Sequence, residues 1–163
     1  MFKTIENGIL PTKGSEYSAC VDLYSRNDMI IQEGETTLIP LGVCIDLMIL
    51  KNSYRGNFST DDELNFWFEK FKHSHYLQLM LRSSLSKQLI IANGVGIIDI
   101  DYENEIMIRV HNPIRHQSEE IDSTVYIKEG DRIAQITILE HKLSLFGILS
   151  KEKRNGGFGS TGK

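Results

Sequence analysis

Ile90-Ile91-Ala92-Asn93-Gly94-Val95-Gly96-Ile97-Ile98-Asp99-Ile100-Asp101-Tyr102-Glu103-Asn104-Glu105-Ile106 is the stretch around which the chain is organised. It holds an Asn-Gly turn signal, a second glycine, two acids two positions apart and an aromatic directly after them. Asn-Gly between apolar runs signals a tight hairpin, because both residues tolerate positive φ. Asp99 and Asp101 are therefore expected on a strand just past the turn. At a period of 2 they share one face, and Ile98 and Ile100 share the other. Taken alone, the pattern is accounted for by a surface hairpin with solvated carboxylates.

Working outward, the chain is mostly short apolar runs broken by Gly, Asn, Asp, Ser and Lys. Strands are expected at 20–24, 28–32, 36–40, 43–49, 76–81, 89–91, 96–100, 105–111, 123–128 and 132–139. So many short strands at close spacing predict an all-β sandwich or barrel with antiparallel pairing. The absence of a strand–helix rhythm argues against a parallel α/β sheet. One segment breaks the β pattern. Leu64, Trp67, Phe68 and Phe71 fall at i, i+3, i+4 and i+7, one face of a helix over about 61–72. Thr60 and Glu63 have capping-box spacing, and Asp61 and Asp62 suit the positive end of the helix dipole. The aromatic face packs on the outside of the sheet or covers a partner or substrate. His73 and His75 follow as a His-x-His pair that on a strand can face a metal, although no third ligand is evident.

The chain has 163 residues and a formal net charge of −4, with no basic run. One domain is expected. The charge argues against a general nucleic-acid or membrane-surface binder. No apolar run reaches the ~20 residues that span a bilayer, and the N-terminus lacks the pattern of a secretion signal. Cys20 and Cys44 have neither metal nor disulfide spacing, so both are expected as free, buried thiols in a reducing compartment.

Three further stretches can carry chemistry. Arg82-Ser83-Ser84 offers a forked cation beside hydroxyls, which suits phosphate oxygens, although surface Arg-Ser pairs are common. Gln135 is a polar residue inside the apolar run 132–139, so a neighbouring strand or a ligand must satisfy it. The tail from Lys151 holds Gly156, Gly157, Gly159 and Gly162 around Phe158, Ser160 and Thr161. Such a tail can be a disordered terminus. Backbone N–H groups in such a loop can also cradle phosphates. Phe158 among glycines suggests a flap that orders over a flat ligand. A Walker A loop is excluded, because the chain ends at Lys163 without the Ser or Thr and the helix it needs.

In order along the chain, Ala19-Cys20-Val21-Asp22-Leu23, Arg82-Ser83-Ser84-Leu85, Asn93 to Ile106, Gly130-Asp131-Arg132-Ile133-Ala134-Gln135 and Gly156-Gly157-Phe158-Gly159-Ser160-Thr161-Gly162 resemble the five motifs of the trimeric, all-β dUTPase family. Each is weak alone; the ordered set is specific. The resemblance implies a distorted jelly-roll, a β-barrel-like sandwich. Residues 1–150 would form one domain with an insertion at about 51–75, and 151–163 a flexible glycine-rich flap. It implies hydrolysis of dUTP to dUMP and pyrophosphate with Mg²⁺ on the triphosphate, in a cytoplasmic homotrimer (nuclear in a eukaryotic or viral setting) with sites at subunit interfaces. Asp99 would activate the attacking water. Asn93 and the backbone after it, Gly96 and Ile98 included, would read the uracil edge. Tyr102 would stack on the deoxyribose. Arg82, Ser83, Ser84 and Gln135 would address phosphate, and Asp22 would brace Arg82 or lie near the solvated Mg²⁺. Phe158 would close on the uracil, Gly159 would also touch the substrate, and Ser160 and Thr161 would lie beside the phosphates.

The sequence departs from the family at several positions. Cys20 stands for a usual Gly, Leu81 for Pro, and Glu103-Asn104 for Arg-Gly. The arginine expected on the γ-phosphate falls on Lys153, with Arg154 next to it; only Arg154 has the forked head. The helix at about 61–72 lies in an insertion that the family pattern leaves unexplained. Two other readings compete. A dCTP deaminase shares the fold, but the glutamate that would shuttle protons there falls on Arg109. A regulatory binding protein on the same scaffold would use the insertion to hold a protein partner.

Overall fold

Alternating apolar and polar residues make strands, and the computed structural model, which describes residues 1–114 and 123–146, shows how they pair. In chain order the elements are β1 (Phe2–Thr4), β2 (Thr12–Lys13), β3 (Val21–Tyr24), β4 (Met29–Ile31), β5 (Thr36–Pro40) and β6 (Val43–Ile45). Then come α1 (Leu47–Ser53), α2 (Asp61–Lys72), β7 (His75–Leu81), β8 (Ile90–Ile91), β9 (Gly96–Asp99), β10 (Met107–His111), β11 (Val125–Ile127) and β12 (Arg132–Glu140). The largest sheet runs β2-β3-β12-β7-β9, a second runs β5-β10-β8, and β1-β6 and β11-β4 pair separately.

Register decides what each face meets. Leu23, Ala134 and Leu81 form one cross-strand row of the large sheet, and Val21, Ile136, Leu79 and Gly96 form the next. These rows face the core, where Ile39, Ile108 and Val110 of the second sheet join Leu23, Leu79 and Ile136 in one buried cluster. Each such aliphatic side chain contributes about 1.5–3 kcal/mol when fully buried. The fold is an all-β sandwich, as the spacing of the runs predicts.

The helix follows its sequence closely. Thr60 Oγ1 accepts from the Glu63 N–H at 3.2 Å, and Glu63 Oε2 accepts from the Thr60 N–H at 3.3 Å, closing the capping box. Leu64, Phe68 and Phe71 are buried. Trp67 is half-buried and stacks on Tyr54 at 4.8 Å. Phe71 and Trp67 pack with Leu47 and Leu50 of α1 and with Ile100, so this face closes over α1 and the end of β9.

Other expectations are corrected. The run 43–49 is not one strand. Asp46 Oδ1 accepts from the N–H groups of Met48 (3.0 Å) and Ile49 (3.2 Å), and this cap starts α1 directly after β6. β1 and β2 carry no run long enough to be read as strands. Asn93-Gly94 does not close a hairpin, because β8 pairs with β10 whereas β9 pairs with β7. Gly94 does take a positive φ of 75°, and its N–H donates to the Ile91 carbonyl at 3.1 Å. That turn hands the chain from one sheet to the other. Asp99 and Asp101 do not share a strand face either. β9 ends at Asp99, and the Tyr102 N–H donates to the Asp99 carbonyl at 3.1 Å, closing a turn through Ile100 and Asp101. Ile100 is only 6 % exposed; its apolar partners on α1 and α2 draw it out of strand alternation. Both cysteines are free; Cys44 is buried, which pushes its thiol pKa up, but Cys20 is only half-buried.

Candidate active site

A pocket of about 130 Å³ opens between the edge strand β9 and the second sheet. Asn93, Gly96, Ile98, Asp99 and Tyr102, all singled out from the sequence, line it together. Arg109 on β10 lines it as well. Each is set by local structure. Asn93 sits in the sheet-to-sheet turn, where its Nδ2 donates to the Val95 carbonyl at 3.3 Å. Asp99 ends β9 opposite Tyr76 and is exposed. Tyr102 is buried, and its hydroxyl donates to the Glu105 carbonyl at 3.2 Å. Burial raises the Tyr102 pKa, so the phenol stays protonated at neutral pH and can make that bond.

Glu105 is itself clamped. Its carboxylate lies 3.0 Å from Arg26 Nε and accepts from the Gly42 N–H at 2.9 Å. Sequence reasoning passed over Arg26 and Glu105. The only available signal was an acid just ahead of the apolar run at 106–110, with no hint of its partner 79 residues away. Arg109 entered the sequence argument only as a group unable to act as a deaminase glutamate; here it faces the same pocket as Asp99.

Gly96 is needed for close approach. A Cβ there would lie 2.9 Å from Leu79 Cβ and 3.1 Å from the Leu79 carbonyl oxygen. Gly96→Ala is therefore expected to push β9 off β7 and cost about 1–3 kcal/mol, read as a lower Tm in thermal unfolding.

A second group gathers at the other end of the large sheet. Asp22 on β3 is 8 % exposed. It forms an ion pair with Arg82, and Arg132 Nη1 approaches it at 3.5 Å. The brace of Arg82 by Asp22 is thus present, and Arg132 is a second cation that the sequence reading missed. The Arg82 N–H donates to the Ile133 carbonyl at 3.0 Å, and its own carbonyl accepts from Leu85 at 3.0 Å. Ser83 and Ser84 follow in that exposed turn. Gln135 lies opposite both Asp22 and Met80, on their sheet face. It is half-buried, not a buried core glutamine.

The two groups are far apart within one chain. Asp99 faces Tyr76 near the start of β7, whereas Arg82 follows its end. Those six residues of strand span roughly 20 Å at ~3.3 Å each. Lys153, Arg154, Phe158, Gly159, Ser160 and Thr161 lie outside the described residues. The His73/His75 pair is not arranged for a metal. His75 stacks on Phe71 at 4.4 Å, with Nδ1 2.8 Å from Ser74 Oγ. Among the described residues no three His, Cys, Asp or Glu side chains converge on one point.

Known proteins supply the remaining comparison. The family model described as dUTPase matches residues 70–162. A deoxyuridine 5'-triphosphate nucleotidohydrolase of Candida albicans is 30% identical over 96% of this chain and 82% of its own length. One from Rickettsia akari is 33% identical over 98% and 94%. Among solved structures, a dUTPase from Streptococcus mutans aligns with a TM-score of 0.58 at 23% identity, over 85% of this chain and 94% of that one. A dUTPase from phage phi11 of S. aureus gives a TM-score of 0.61 at 19% identity, over 98% and 97%. These structures share the fold; the sequence matches carry the kinship, and the chain belongs to the dUTPase family.

Proposed function

We propose that this protein hydrolyses dUTP to dUMP and pyrophosphate. The observation that carries the reading is the pocket in which Asn93, Asp99 and Tyr102 meet. A small pocket with one carboxylate at its rim suits a flat ring held beside a reacting phosphate. Asn93 and the backbone to Ile98 offer hydrogen-bonding groups for the uracil edge. Tyr102 provides the wall on which the deoxyribose rests. Asp99 holds a water and takes its proton as the water oxygen bonds to the α-phosphorus. The bond from that phosphorus to the bridging oxygen breaks, and pyrophosphate leaves with the electron pair. The rest of the catalysis is positioning and charge neutralisation.

Arg82, Ser83, Ser84 and Gln135 serve the phosphates, with Asp22 aiming Arg82. Because that group lies far from Asp99 in the same chain, a complete site takes them from different copies, and the family resemblance makes that assembly a homotrimer. The tail would close it, with Phe158 over the uracil, Gly159 next to Phe158, Ser160 and Thr161 beside the phosphates, and Arg154 rather than Lys153 on the γ-phosphate. Mg²⁺ would travel on the triphosphate. Asp22 already faces two guanidinium groups, so its contact with the ion would run through water. Bound with the substrate, the ion neutralises phosphate charge. Among the described residues no helix is long and apolar enough to cross a membrane, and the reaction suits the cytoplasm or nucleus.

The test is to incubate the purified protein with dUTP and with dCTP in Mg²⁺ and follow pyrophosphate and ammonia. Pyrophosphate from dUTP alone is expected. Ammonia from dCTP would overturn the reading in favour of a deaminase, against which Arg109 in the pocket argues.

A further inference from the structure

The chemistry above makes no use of α1 and α2, yet they meet it at one residue. Ile100 lies between Asp99 and Tyr102, which both line the pocket. Its own side chain belongs to another cluster, with Leu50 of α1 and Phe71 of α2, against which Leu47 and Trp67 pack. That cluster is distinct from the main core, which contains Tyr102. The turn has an apolar anchor on each side: Tyr102 in the core, Ile100 under the helices. Between them Asp101 is exposed. A second connection runs along the chain. α2 passes through His73 and Ser74 into β7, whose Tyr76 pairs with Asp99. His75 on that strand stacks on Phe71.

On the reading of this pocket as the dUTP site, we propose that α1 and α2 are a positioning element for the turn carrying Asp99 and Tyr102, acting through Ile100. The physical reason is the precision that water attack demands. A misplacement of about 1 Å costs on the order of a hundredfold in rate. A short turn at the end of an edge strand does not supply that precision by itself. Seating Ile100 against Leu50 and Phe71 removes the freedom that remains. Ile100 is thus a positioning residue; it does not touch the reacting atoms.

Two readouts test this. In the first, Ile100→Ala opens space against Leu50 and Phe71, and kcat for dUTP is expected to fall about tenfold, as a smaller displacement would cost. KM should change little, and Ile100→Val should recover most of the loss. In the second, Trp67, the protein's single tryptophan, reports from within the cluster. Binding of a non-hydrolysable dUTP analogue should shift its emission in the wild type. In Ile100→Ala the shift should vanish while calorimetry still detects binding. A folded Ile100→Ala protein with wild-type kcat, or with a loss in KM alone, would overturn the proposal. So would Trp67 emission that ignores bound analogue in the wild type. If Ile100→Ala does not fold, Phe71→Leu trims the same contact from the helix side, and unchanged kcat there overturns it equally. A wild-type protein that neither binds the analogue nor hydrolyses dUTP is a different failure: it removes the reading of the pocket itself, and this proposal with it.

Discussion

Asp99→Asn is expected to lose turnover of dUTP by about 10²–10⁴-fold, the range a positioned general base contributes, while dUTP binding stays nearly unchanged. The substitution keeps the size and shape of the side chain. Asp99 is exposed at the last position of β9, so no core packing is disturbed by the change. What is lost is the ability to accept a proton from water, because an amide is a poor base. Single-turnover kinetics with dUTP, alongside calorimetry with a non-hydrolysable analogue, separate the two effects. Near-normal turnover would move the base elsewhere. Asp101 is the nearest other carboxylate in sequence, but it is an exposed turn residue outside the pocket lining, so the geometry favours Asp99.

Asp22→Ala is expected to lower stability by about 2–4 kcal/mol and to impair phosphate handling. Removing one side of a buried ion pair leaves the other charge uncompensated. Arg82 Nη1 is buried and has Asp22 as its anion. Because 25% of the Arg82 side chain remains in solvent, the cost falls below that of a fully buried pair. The contrast is Arg132→Ala. Its side chain is 55% exposed and 3.5 Å from the same carboxylate, so its loss should cost under about 1 kcal/mol. Thermal or denaturant unfolding of the two variants checks the ranking. Equal midpoints would mean that solvent replaces Asp22 beside Arg82. In Asp22→Ala, a freed Arg82 should also raise KM for dUTP beyond the effect of lost stability alone, measured at a temperature where the variant is folded.

Local chemistry made the helix legible almost to the residue. Thr60 and Glu63 set its start, and Leu64, Trp67, Phe68 and Phe71 mark its inner face, all within one stretch of chain. Most strands were legible for the same reason. Where a choice depended on a distant partner, the local pattern misled. Asp46 could have continued a strand, but its carboxylate found two N–H groups of the next turn and began a helix. Asn93-Gly94 has every local mark of a hairpin, yet β9 pairs with β7 because Gly96 lets its backbone close on Leu79.

The candidate site divides in the same way. The five pocket residues Asn93, Gly96, Ile98, Asp99 and Tyr102 fall within one short stretch, and their order is what the family resemblance reads. Arg26, Glu105 and Arg109 carry no such signal, because their roles arise from contacts between strands far apart in sequence. By itself the sequence determined the all-β class, the helix, the family and the residue types that chemistry requires, since those follow from short-range periodicity and motif order. Only the tertiary structure decided that the turn after Ile91 crosses between sheets, that Asp99 and Asp101 part company, and that Ile100 turns toward the helices. Those outcomes depend on which apolar partners are within reach once the chain is packed, and burial against a distant neighbour outweighs the weak local preference for strand alternation.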